Sequence, residues 1–125
     1  MKRIFIILFI VVYLVFICLI VGVAVDKKAA VLDAKLENLC TLAENESLSL
    51  AIAVNETEAY WERNEFLFAI VTNHRLTDDL DHDILMLKHY LGINDEQHLM
   101  AKIAECRSMV QEIVRDDDFA WHNIF

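Results

Sequence analysis

Residues 4–25 read IFIILFIVVYLVFICLIVGVAV, 22 positions without a charge. At ~1.5 Å per residue a helix over this run reaches about 33 Å, enough to cross a hydrocarbon core of ~30 Å. The run predicts a transmembrane helix over residues 1–25 that serves as an anchor. A cleaved signal peptide competes, because Gly22 and Ala24 are small residues with the spacing of a cleavage site. Such peptides carry an apolar core of only ~7–15 residues, so an uncleaved anchor is the expectation.

Orientation is less sharply written. Lys2 and Arg3 flank one end and Lys27 and Lys28 the other, nearly a tie under the positive-inside rule. The N-terminal flank lacks acidic residues, whereas Asp26 directly follows the apolar run. The expected topology is a cytoplasmic N-terminus in the cell membrane and an extracytoplasmic domain over residues 26–125.

That domain holds all twenty acidic residues and nine of the eleven basic ones, a formal charge of −11. Such a balance opposes binding to nucleic acid or lying on anionic lipid headgroups. The whole chain contains no proline and only Gly22 and Gly92 as glycines, so the punctuation that strands and hairpins need is missing. The fold class expected is all-α: an N-terminal transmembrane helix continuing into a small antiparallel helical bundle.

Periodicity divides the domain. Val25, Ala29, Leu32, Leu36, Leu39 and Ala43 alternate steps of four and three, one stripe of a helix that leaves the membrane unbroken to about residue 44. After ENES, a second helix spans about 47–73, with Leu50, Val54, Trp61, Phe68 and Val71 on its stripe. The run FLFAIV, Phe66–Val71, is apolar nearly all round and reads as the buried centre of the domain. Thr77 and Asp78 precede Leu80, Ile84, Leu87 and Leu91 in a third helix over about 77–91, ended by Gly92. Asn94, with Gln97 in a capping-box relation, opens a fourth over about 94–115. Its stripe is Leu99, Ile103, Cys106, Val110 and Ile113. Asp116–Asp118 would oppose the dipole at a helix C-terminus, which places the end near Arg115.

Beyond that point, residues 116–125 read as a tail that turns back. Phe119, Trp121, Ile124 and Phe125 are too apolar to leave in water together. They are expected to pack in a groove between the chain's own helices, with Asn123 tied to the backbone. The alternative is that this tail contacts a partner.

The order of anchor, juxtamembrane helix, AYWERNEFLFAIVTNH, LMLKHYLGINDEQHLMAKIAE and terminal HNIF resembles the small bacterial membrane proteins of domain-of-unknown-function family 4363. Trp61, the Asn73–His74 pair and the ending Asn123-Ile124-Phe125 carry the resemblance. It implies an anchor, this size and a helical fold; the family has no established activity, so no catalytic residue is implied.

Candidate chemistry is sparse. Asp79, His82 and Asp83 share one helix start and supply metal-ligand types. A calcium loop is not formed, since Ile84 stands where the turn glycine belongs and Tyr90 where the bidentate glutamate belongs. Acidic residues in a first turn also simply complement the dipole. His74 reads as a helix-end cap, and Glu58, Glu62 and Glu65 as a solvated face. Cys40 and Cys106 read as buried thiols, with a bridge between them as the alternative. Asn45-Glu46-Ser47 and Asn55-Glu56-Thr57 match the glycosylation pattern and are read as unmodified. No nucleophile elbow, phosphate loop or zincin helix occurs. The chain is therefore expected to be no enzyme and to need no cofactor. Its expected role is interaction with an unidentified membrane or envelope protein. The alternatives are small-ligand or metal-ion sensing, and a homodimer zipped along Val25–Ala43.

Overall fold

An apolar stripe that begins inside a membrane-length run can serve a domain only if the helix never breaks. In the computed structural model, α1 runs unbroken over Lys2–Glu44. The structure describes residues 1–45, 48–72 and 74–124, with the side chains of Val71 and of 115–124 outside that description. Positions 4–20 are exposed around the whole helix, whereas Val25, Ala29, Leu32, Leu36, Leu39 and Ala43 are buried as the four-three spacing predicts. One helix thus carries two solvents' worth of sequence: a span apolar on all sides, then one apolar stripe facing protein.

Three further helices complete the stripe's partners: α2 (Leu50–Val71), α3 (His74–Gly92) and α4 (Glu96–Ile124). Among the described residues there is no strand. α1 packs against α2 and α4, and α3 packs against the same two, so the helices form a square bundle in up-down-up-down order. The core is built from Val54, Trp61 and Phe68 of α2, Leu80, Ile84 and Leu87 of α3, and Leu99, Ile103, Cys106, Val110 and Ile113 of α4. Each large aliphatic or aromatic side chain removed from water contributes ~1.5–3 kcal/mol before ordering costs. Trp61 and Phe68, two turns apart on α2, stack with ring centroids 5.4 Å apart and form one aromatic face toward the core.

Apolar stripes alone leave the vertical register loose, and directed polar contacts set it. Each adjacent pair of helices has at least one. Tyr60 donates its hydroxyl to the Lys28 carbonyl (3.3 Å) between α1 and α2. The Trp61 indole N–H donates to Asp81 Oδ1 (3.0 Å) between α2 and α3. Lys102 Nζ reaches Asp83 Oδ1 (3.2 Å) between α3 and α4, and Arg107 Nε reaches Asp33 Oδ1 (3.0 Å) between α4 and α1.

Four expectations need correction. First, Phe66–Val71 is not a buried centre: Phe68 is buried, but Phe66 is 78% and Ile70 61% exposed. α2 contacts its neighbours through one face only, and these two positions lie on the other. Second, α3 starts at His74, ahead of Thr77, so His74 opens a helix and does not cap one. Thr77 is buried instead, its hydroxyl 3.0 Å from that of Thr72.

Third, Gly92 does not provide the left-handed residue that ends α3. Asn94 does, at φ 57°, with its N–H on the Leu91 carbonyl and the Asp95 N–H on that of Tyr90. This is the Schellman pattern with asparagine at the αL position. The N-cap of α4 is accordingly Asp95, whose Oδ1 accepts the His98 N–H (3.2 Å), and not Asn94 paired with Gln97. Fourth, α4 does not stop near Arg115 but passes through Asp116–Asp118 to Ile124. Helical backbone here rules out an extended tail folding back. The dipole effect is only ~0.3–1 kcal/mol and fades beyond the last turn, and Asp116–Asp118 stand more than a turn before Ile124. The contacts expected of Phe119, Trp121, Asn123 and Ile124 lie outside the described residues, as does Phe125.

Candidate interaction surface

The residues with metal-binding chemistry are not assembled into a site. Asp83 is 5% exposed and turned inward to Lys102, whereas Asp79 and His82 are exposed. Among the described residues no three His, Cys, Asp or Glu side chains are grouped to hold an ion. Asp83 sits inside because α4 meets it with an ammonium. Lys102 is pushed up to about 12, chiefly by its hydrogen bond to Glu105 and secondarily by Asp83, with burial opposing.

The acidic face of α2 and α3 has more character. Glu58 pairs with Lys88 (2.8 Å). Glu65 is held above the ordinary carboxylate range, first by partial burial and then by the like charges of Asp81, Asp78 and Glu62. Trp61 donates into this face through Asp81, so the indole expected in the core also organises the surface.

Cys18, Cys40 and Cys106 are free. Cys106 is buried among apolar neighbours, and burial, followed by Asp83 and Glu105, pushes its thiol up to about 12. Such a thiol is an inert packing residue, not a nucleophile. Cys40 is half-buried, its sulfur 3.9 Å from Glu44 Oε1.

Two surfaces remain that the stripes did not foretell. At the end of the bundle away from the apolar span, the α1–α2 and α3–α4 connections leave an open hollow of about 340 Å³. It is lined mainly by apolar atoms of Leu48, Leu50, Tyr90, Leu91 and Leu99, with Asn94 and Asp95 at the rim. Leu48 is 98% exposed beside it. A leucine off any stripe in the polar connection ENESLS was the available signal. His98 stacks on Tyr90 (5.3 Å) and bonds Asp95 through Nδ1, which stiffens one wall. The second surface is the pair Phe66 and Ile70 near the opposite end.

The fold and these surfaces define a class: a four-helix bundle whose first helix extends into a candidate membrane span. The sequence profile described as "Domain of unknown function (DUF4363)" matches residues 20–124, and the chain belongs to that family. No curated protein and no solved structure shows a significant match to the chain.

Proposed function

We propose that the protein is a single-pass, membrane-anchored interaction module without catalytic activity, which engages a protein partner of the same membrane or envelope. The N-terminus lies in the cytoplasm and the bundle outside. The observation that supports this reading is the continuity of α1: its exposed apolar span and its buried stripe share one uninterrupted helix. A helix of this length measures about 65 Å, so the bundle is held at a fixed height and orientation rather than on a flexible linker. Such coupling suits a module that must present one end to a partner. The distal hollow, apolar with a polar rim, has the make-up of a small protein-docking patch.

Site-specific photo-crosslinking in native membranes tests the reading. A photoreactive side chain at Leu48 or Ala51, beside the hollow, should yield one discrete protein adduct, while one at the outward-facing Glu112 should yield none. If neither end of the bundle yields a protein adduct in the membrane that contains the protein, the interaction reading fails.

A further inference from the structure

Phe66 and Ile70 are large apolar residues left on the surface of a bundle that buries Trp61 and Phe68 of the same helix almost completely. Their position along the molecule explains what covers them. The Tyr60 hydroxyl meets the Lys28 carbonyl, and α2 runs antiparallel to α1, so residues beyond Tyr60 descend toward the span. Phe66 and Ile70 lie six and ten residues further, about 9 and 15 Å along the helix axis. Val25, the last residue of the charge-free run, is only ~4.5 Å below Lys28. With Ala43 facing Leu50 and Ala51 across the distal hollow, Ile70 stands level with the end of the apolar run and Phe66 about one turn above it.

α4 leads to the same level independently. Its ion pair from Arg107 to Asp33 and the cavity shared by Val114 and Asp26 fix an antiparallel register with α1. In that register residue 114 is level with Asp26. α4 continues ten residues beyond, to Ile124, roughly 15 Å further toward the span. α1 carries the complementary mark. Within the charge-free run, Gly22 is buried and Val21 packs against the core, while positions 4–20 are exposed. The base of the bundle thus encloses the first turns of the span.

We infer that the base of the bundle, through Phe66 and Ile70 of α2, is seated in the interfacial layer of the leaflet from which α1 emerges. This rests on the anchored reading above. The occupant is lipid: the patch is outward-facing, continuous with the span and at bilayer height. The attraction is apolar and aromatic, because a domain of charge −11 gains nothing from anionic headgroups. A bundle held at both α1 and its base cannot tilt freely, which reinforces the orientation that α1 sets.

The test uses the full chain, with its three cysteines replaced by serine or alanine, reconstituted into phosphatidylcholine vesicles. Single nitroxide labels are placed through Phe66→Cys, Ile70→Cys, Ile52→Cys and Phe9→Cys, all exposed positions. Collision with oxygen is compared with collision with a water-soluble nickel chelate. Labels at 66 and 70 should favour oxygen several-fold, at a depth between those of 9 and 52, and Ile52, on the distal half of α2, should favour nickel. Adding anionic lipid should leave the 66 and 70 signals unchanged or make them more aqueous. A nickel-dominated signal at 66 and 70 with a deep label at 9 overturns the interfacial seat and spares the anchor. A nickel-dominated signal at 9 overturns the anchor itself. Protection of 66 from both reagents, with spin–spin broadening, assigns the patch to a second copy of the chain and also overturns the proposal.

Discussion

Replacing Lys102 by methionine isolates the only cation that reaches Asp83 among the described ion pairs. The ammonium lies 3.2 Å from Asp83 Oδ1, and the carboxylate is 5% exposed on the inner side of α3. Methionine keeps the length and helix propensity of lysine, so the change is one of charge. Stripping one partner from a buried pair costs ~3–5 kcal/mol, since the remaining charge keeps its desolvation penalty. Lys102 retains 23% of its side-chain exposure, so water screens part of the loss. The expected cost is about 2–4 kcal/mol. At ~4–8 °C per kcal/mol for a domain of this size, Tm should fall by about 8–30 °C. Thermal unfolding of the full chain in non-ionic detergent, followed by circular dichroism, reads this directly. Adding Asp83→Leu should restore most of the stability, because a buried pair can be replaced by packed apolar groups at little cost. If K102M melts within ~2 °C of wild type, or the double variant is no better than the single, the pair does not govern the α3–α4 interface.

Other outcomes follow from single features. Gly92 is helical, and nothing lies within 4 Å of a Cβ built on it; Gly92→Ala should therefore stabilise by about 0.5–1 kcal/mol, and a fall in Tm would contradict its assignment to the helix. Asn94→Val forces a β-branched residue to φ 57° and should cost about 1–2 kcal/mol in the same melt, whereas Asn94→Gly should cost nothing. Trp61→Phe keeps the stack on Phe68 but loses the indole donor to Asp81, for a loss of about 1 kcal/mol; an unchanged urea midpoint would show that Asp81 is satisfied without it. Burial raises the Cys106 thiol from 9.0 to about 12. The unfolded chain releases that proton first, so this residue's contribution to stability is complete below pH 9 and declines as pH rises from 9 toward 12. Cys106→Ala should flatten that part of the pH–stability curve; an identical slope would assign it to other groups.

Much of the fold was legible because its signals are local and repeated. The 22-residue charge-free run, the four-three stripe from Val25 to Ala43 and the stripes Leu80–Ile84–Leu87 and Leu99–Ile103–Cys106–Val110–Ile113 all depend on helical spacing alone. Once a chain lacks proline and has two glycines, those stripes can be buried only against one another. The family, too, was carried by sequence order.

What needed the tertiary structure depends on residues far apart in the chain. That Asp83 is buried follows from Lys102 arriving on α4, and nothing within TDDLDHD distinguishes it from the exposed Asp79. Helix ends went to Asn94 and Asp95 because their backbone angles and shared hydrogen bonds are settled by how α3 and α4 meet, not by which residue has the better propensity. Phe66 and Ile70 show the same limit on the surface. Their hydrophobicity is local, but whether an apolar side chain faces core, water or bilayer is fixed by the register of α2 against α1. Burial is a property of the assembled bundle, and only the packing of distant segments decides it.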